Sequence, residues 1–196
     1  MTVEGLTVWL TGLPSSGKTT LARRLGARLR EAGHRVEVID GDAVRTELGR
    51  GLGFSREDRA ENVRRVGYVA NLLCRNGVVV VCALVSPYRR ERDEVRARHD
   101  GRFMEVHVST PVATCAERDV KGLYARQRAG LVRGLTGVDD PYEPPERPEV
   151  VVPTHLQTVE ESLQAVWTAV AARMTGPRGL SAGDSLVRSP EGAMRY

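Results

Sequence analysis

One stretch constrains this chain more than any other. Gly12-Leu-Pro-Ser-Ser-Gly17-Lys18-Thr19 fits G-x-x-x-x-G-K-[ST], between an apolar β-forming run at residues 6–12 (LTVWLTG) and a helical stretch over about 17–32. That strand–turn–helix setting is what the pattern requires. Its glycines let backbone N–H groups converge on phosphate oxygens, and the start of the helix adds the positive end of its dipole. Lys18 is expected to bridge β- and γ-phosphates and Thr19 to offer its hydroxyl to Mg²⁺. A glycine-rich turn with a surface lysine is the competing reading, and the match at every fixed position in the right context weighs against it. The chain is expected to bind a nucleoside triphosphate.

Further apolar runs follow at Val36–Ile39, Val78–Val85, Phe103–Val108 and Val150–Val152. Near-continuous apolar runs suit strands covered on both faces, as in a parallel sheet. Helical stretches near 55–75, 88–99, 111–118 and 158–174 separate or follow them. The alternation predicts an α/β fold, a P-loop NTPase-type parallel sheet flanked by helices. With 196 residues, one domain over 1–174 is expected. Residues 119–148 hold four Gly and four Pro without a sustained period, which predicts a functional, mobile lid. The stretch 175–196 is low in apolar content and is expected to be a disordered tail.

Composition narrows the function classes. No apolar run reaches membrane-spanning length, and the N-terminus carries no basic signal-peptide region. Cys74, Cys82 and Cys115 form no C-x-x-C pair, which predicts reduced, mostly buried thiols in a cytoplasmic protein. A net charge of +4 and 5% aromatics argue against nucleic acid and suit a small anionic substrate. The four histidines, His34, His99, His107 and His155, lack metal-ligand spacing, so only nucleotide-bound Mg²⁺ is expected.

The second strand ends Asp40-Gly41-Asp42, with Arg45 just beyond. Carboxylates at that edge face the ligand crevice, where Asp42 could take a hydroxyl proton or hold Mg²⁺ through water. The alternative is a turn in which Asp42 caps the next helix. On the helix from Ser55, the capping-box-like partner of Asp58, Val63, Val66, Ala70 and Leu73 share a stripe with Arg59 and Asn62. An inward polar pair needs a polar partner, and a bound anion at the helix start is the simplest; the alternative is that this first turn overhangs the sheet and the pair is solvated. Ser86 follows the third strand and either binds phosphate or caps the next helix, with Pro87 at its first position. Arg118, Lys121, Arg126, Arg128 and Arg133 put cations in and near the lid, where closure would neutralise a transferring phosphate.

GLPSSGKTTLA, DGDAVR, LGFSREDRAENVRRV, LVSPYRRERD, ERDVKGLYARQRAG and LTGVDDPYEPP occur in this order. The chain thereby resembles adenylylsulfate kinase (APS kinase), over roughly residues 4–173. The resemblance implies an ATP-dependent kinase of sulfate assimilation that phosphorylates the 3′-hydroxyl of adenylyl sulfate. It implies that Gly12, Ser15, Ser16, Gly17, Lys18, Thr19 and Thr20 hold the ATP phosphates and Mg²⁺, with Arg118 also on the nucleotide. Asp42 would be the base, Arg45, Arg59 and Asn62 would hold the phosphosulfate, and Phe54 would stack on adenine. Lys121 and Tyr124 would belong to the lid, and Ser86 matches a serine described as a phosphoenzyme intermediate, although direct in-line transfer needs none. A homodimer is implied too. Departures cluster on the acceptor side. Ala43 stands for the usual Asn, Val120 for Pro, Leu131 for an acid, and Leu135 for an aromatic that completes the adenine stack. They motivate an alternative, a related kinase acting on a different nucleotide-like hydroxyl acceptor, for example a phosphoramidate nucleotide, in specialised metabolism.

Overall fold

A computed structural model describes residues 5–175, so the tail predicted over 175–196 lies, but for its first residue, outside the described residues. Five parallel strands, β1 (Leu6–Thr11), β2 (Val36–Asp40), β3 (Val79–Ala83), β4 (Phe103–Val108) and β5 (Val150–Val152), form one sheet in the order β2-β3-β1-β4-β5. All residues of β1 and β3 are buried, as their unbroken apolar runs require. Successive side chains divide between two cores. Val8, Leu10, Val79, Val81 and Val106 pack under α1 (Lys18–Glu31) and α7 (Val159–Thr175). Trp9, Val80, Cys82 and Phe103 pack under α3 (Arg56–Arg75) and α4 (Arg89–Ala97).

The chain leaves β1 for β2 and β3 on one side, then crosses to β4 and β5 on the other. The direction of winding therefore reverses at β1, and ligands of such sheets bind at the carboxyl ends of the strands beside that switch. The helices α2 (Gly41–Glu47), α5 (Val112–Arg118) and α6 (Leu123–Arg128) stand at that same edge. Neither α2 nor α6 is among the helical stretches read from the sequence, although the capping alternative at Asp42 implied a helix after β2.

The α3 stripe is realised, with Val63, Val66 and Ala70 buried and Leu73 partly so. Ser55 caps it by accepting from Asp58 N at 3.1 Å. Two cap readings are corrected. The cap of α2 is Asp40, whose Oδ1 accepts from Asp42 N at 3.0 Å, so Asp42 sits in the first turn with its carboxylate released. Helix α4 starts at Arg89 with no side-chain cap from its own N-cap residue. Ser86 and Pro87 precede it, and its first N–H donates instead to Glu143 Oε2 at 2.8 Å.

Candidate active site

The loop after β1 turns through two glycines with positive φ, Gly12 at 152° and Gly17 at 105°. A Cβ on Gly12 would lie 2.5 Å from the Val108 carbonyl oxygen, so the loop can rest on the end of β4 only with glycine there. Ser15 also takes a left-handed φ of 61°, and its Oγ is buried without a partner. Lys18 Nζ is buried and donates to Leu13 O at 2.6 Å. Burial is the main cause that lowers its pKa to about 7, and the nearby Lys121 charge pushes the same way. Ser16 is buried and Thr19 half-buried, while Thr20 is exposed at the start of α1.

Three side chains hold the loop from outside: Arg118, which was expected on the nucleotide, and Thr110 and Thr154, which the sequence did not single out. The Ser16 carbonyl accepts from Thr110 Oγ1 at 3.2 Å, Thr154 Oγ1 at 2.9 Å and Arg118 Nη1 at 3.4 Å. Arg118 also donates to Thr154 O at 2.7 Å, which fixes it beside the phosphate loop. Thr110 and Thr154 come from the turns after β4 and β5, far from Ser16 in sequence, so no local pattern announces them. Tyr124 of α6 donates to Pro14 O at 3.1 Å.

On the acceptor side, Asp42 projects 68% exposed and pairs with Lys121 of the lid. Asp40 Oδ2 is buried without a hydrogen-bond partner. Arg45 donates to Gly53 O, and its guanidinium lies 4.1 Å from the Phe54 ring centroid. Phe54 is itself 62% exposed, an aromatic face open to a planar ligand. Asn62 is buried, with Oδ1 unpartnered.

Arg59 differs from the sequence expectation. Its inward position is satisfied by protein oxygens, Gly134 O at 2.6 Å, Thr136 Oγ1 at 3.0 Å, Asp140 Oδ2 at 3.3 Å and Phe54 O at 2.9 Å. A ligand anion is therefore not needed to explain its burial, although it stands beside Asn62 and Phe54. Leu135 is 6% exposed and packs with Leu13, Cys115 and Tyr124. It fills a small core shared by the lid, the phosphate loop and α5.

Ser86 is buried at the end of β3 with φ 38°. Its Oγ accepts from Trp9 Nε1 and donates to Thr11 Oγ1, both at 3.0 Å. The lid stretch is locally built. Asp119 accepts from Tyr124 N and Ala125 N, and Asp139 from Gly134 N and Leu135 N. A cleft of about 400 Å³ opens between Leu13, Val112 and residues 137–142.

The phosphate loop after β1, Asp42 after β2 paired with Lys121, and the Arg45–Phe54 contact thus lie beyond the carboxyl ends of the strands, with Asn62 buried on α3. The family model for adenylylsulphate kinase matches residues 4–153. The chain belongs to this family. An adenylyl-sulfate kinase of Rippkaea orientalis is 56% identical over 167 residues, 85% of this chain and 92% of the relative. A probable adenylyl-sulfate kinase of Synechocystis sp. is 53% identical over 167 residues, 85% of this chain and 94% of the relative. The Mycobacterium tuberculosis APS kinase CysC, solved in complex with AMPPNP and APS, superposes with a TM-score of 0.82 at 40% identity, covering 86% of this chain and 98% of that one. Against the family pattern, Ala43, Val120 and Leu131 are exposed and only Leu135 is buried. No helix among the described residues is long and apolar enough to cross a membrane.

Proposed function

We propose that this protein transfers the γ-phosphoryl group of ATP to the 3′-hydroxyl of adenylyl sulfate, giving 3′-phosphoadenylyl sulfate. The observation that carries the reading is a chain of this family in which the Gly12–Thr19 loop follows β1 and Asp42, paired with Lys121 of the lid, follows β2 at the same carboxyl edge of the sheet. The relatives named adenylyl-sulfate kinase support the same acceptor.

The loop amides and the α1 N-terminus would receive the β- and γ-phosphates. Lys18 Nζ, now turned onto Leu13 O, would swing to the phosphates, whose charge favours its protonated form. Asp42 has no competing capping duty and would accept the proton of the attacking hydroxyl. Lys121, which pairs with Asp42, would be displaced toward the phosphoryl group as the acceptor enters, delivering a cation where charge develops. Phe54 would stack on the adenine while Arg45 and Asn62 hold the phosphosulfate, with Arg59 positioned beside them.

The orphaned Ser15 Oγ and Asp40 Oδ2 fit a site completed by an Mg²⁺-bound triphosphate. Thr19 and Asp40 would hold the ion, which would supply positive charge to neutralise the phosphates. The three buried, free thiols support a cytoplasmic setting, and the family resemblance supports a homodimer.

The test is an ATP-consumption assay with Mg²⁺, comparing adenylyl sulfate with cytidine- and uridine-based analogues. Adenylyl sulfate is expected to turn over at micromolar concentration, and Lys18→Ala to abolish turnover. Activity on another nucleotide without activity on adenylyl sulfate would transfer the assignment to a kinase with a changed acceptor.

A further inference from the structure

Arg92 of α4 is 1% exposed, and each of its nitrogens reaches a different element. Nε donates to Glu105 Oε1 on β4, Nη1 to Ser86 O after β3, and Nη2 to Glu143 O at the end of the lid, each at 2.7 Å. Glu105 neutralises its charge, so the other donors are free to hold backbone. A planar fork with fixed donor directions suits that work, and a lysine cannot reproduce it.

The two carbonyls it joins belong to one seam. Glu143 N donates to Pro87 O at 2.8 Å and Arg89 N returns to Glu143 Oε2. Ser86 keeps its left-handed backbone within this seam, a conformation that persists only where surroundings over-determine it. The seam also reaches the phosphate-loop strand, where Thr11 Oγ1 meets Tyr142 Oη at 3.1 Å and donates to Val85 O at 2.8 Å. From the other end, Arg59 of α3 grips Gly134, Thr136 and Asp140. Residues 134–143 are therefore a strap tied at one end to Arg59 and at the other to Arg92.

We propose that Arg92 is a positioning residue for the acceptor site. It fixes the strap 134–143, and the strap fixes Arg59 beside Phe54 and Asn62. Arg92 itself touches neither the phosphate loop nor Asp42 through any of its three hydrogen bonds. The proposal rests on the acceptor assignment made above.

Arg92→Lys keeps a cation for Glu105 and removes the fork. Amides of residues 134–143 are expected to exchange with deuterium about tenfold faster or more, while α1 and β1 keep wild-type protection. The acceptor kcat/KM should fall about 100-fold while the KM for ATP rises by less than about tenfold, the smaller effect arriving through the Thr11–Tyr142 contact between strap and phosphate-loop strand. If Arg92→Lys does not fold, Arg92→Gln/Glu105→Gln, which removes both buried charges together, carries the same expectation. Wild-type exchange in the strap with unchanged acceptor kcat/KM would overturn the proposal. So would an equal loss toward ATP and acceptor with protection lost throughout the sheet, the signature of a purely structural role. Exchange is read without nucleotide, so a wild-type enzyme inactive on adenylyl sulfate would remove the acceptor assignment while the strap is still decided.

Discussion

At the scale of single residues, two side chains make opposed predictions about chemistry. Lys18 is buried and its pKa is lowered to about 7, whereas phosphates around it would raise that value again. Between the two values the free protein binds fewer protons than the complex. Nucleotide binding should therefore take up a proton, and affinity should fall as pH rises above 7, by up to about tenfold per unit. Titration calorimetry at about pH 8.5 in buffers of different ionisation enthalpy reads the uptake directly, and a binding enthalpy independent of buffer would refute it. Ser86 points the other way. Its hydroxyl is enclosed by Trp9 Nε1 and Thr11 Oγ1, which makes it a poor nucleophile and a good structural acceptor. Ser86→Ala should leave kcat within about threefold, since an in-line transfer does not pass through it. It should cost about 1–3 kcal/mol of stability because the buried Trp9 N–H loses its acceptor. Steady-state assay and thermal unfolding together check both halves. Loss of turnover to the Lys18→Ala level would restore a catalytic role.

At the scale of elements, α3 and α4 are pressed together at Gly67. A Cβ there would lie 2.5 Å from Val95 Cγ2, and Val95 is buried with no room to retreat. Alanine would gain about 1 kcal/mol of helix propensity, but overpacking a full core costs about 1–3 kcal/mol. The overpacking term is expected to win, so Gly67→Ala should unfold at lower temperature and Gly67→Ala/Val95→Ala should recover part of the loss. A Gly67→Ala variant more stable than wild type would refute this packing. The same element scale explains what the sequence disclosed. Strands β1 and β3 were legible because burial on both faces leaves an unbroken apolar run. Helix α3 was legible because one face carries a long periodic stripe. Helices α2 and α6 were not, being short, largely polar segments of which the first buries no side chain and the second only Tyr124. The lid read as irregular because its order comes from single carboxylates, Asp119 and Asp139, bonding backbone N–H groups a few residues away. Most of the candidate site was proposed through the loop motif and the position of Asp42 after β2. Thr110, Thr154 and Arg92 were not, because hydrogen bonds between distant turns leave no trace in spacing.

At the scale of the whole molecule, side chains tie the lid to the phosphate loop and its neighbours. Tyr124 reaches Pro14 O, Tyr142 reaches Thr11, Lys121 reaches Asp42, and Arg118 spans Ser16 and Thr154. None of these bonds lies within the sheet. Each ties a residue of the lid or its approach to another element of that edge: Pro14 and Ser16 of the phosphate loop, Thr154 after β5, Thr11 at the end of β1, or Asp42 in the first turn of α2. A nucleotide that orders the loop should therefore stabilise the lid as well, because loosening the lid would sacrifice the same contacts. Saturating ATP with Mg²⁺ at about 100 times its Kd is expected to add about 2.7 kcal/mol to global stability. The same addition should slow tryptic cleavage after Lys121, Arg126, Arg128 and Arg133, all exposed in the lid. Cleavage after the exposed Arg23 and Arg24 of α1 should slow only as global unfolding slows. Thermal unfolding and limited proteolysis with and without nucleotide separate the two effects. Lid cleavage that slows no more than cleavage at α1 would show that these cross-contacts carry no coupling. Greater protection at the lid would show that they transmit occupancy of the phosphate loop to the acceptor side.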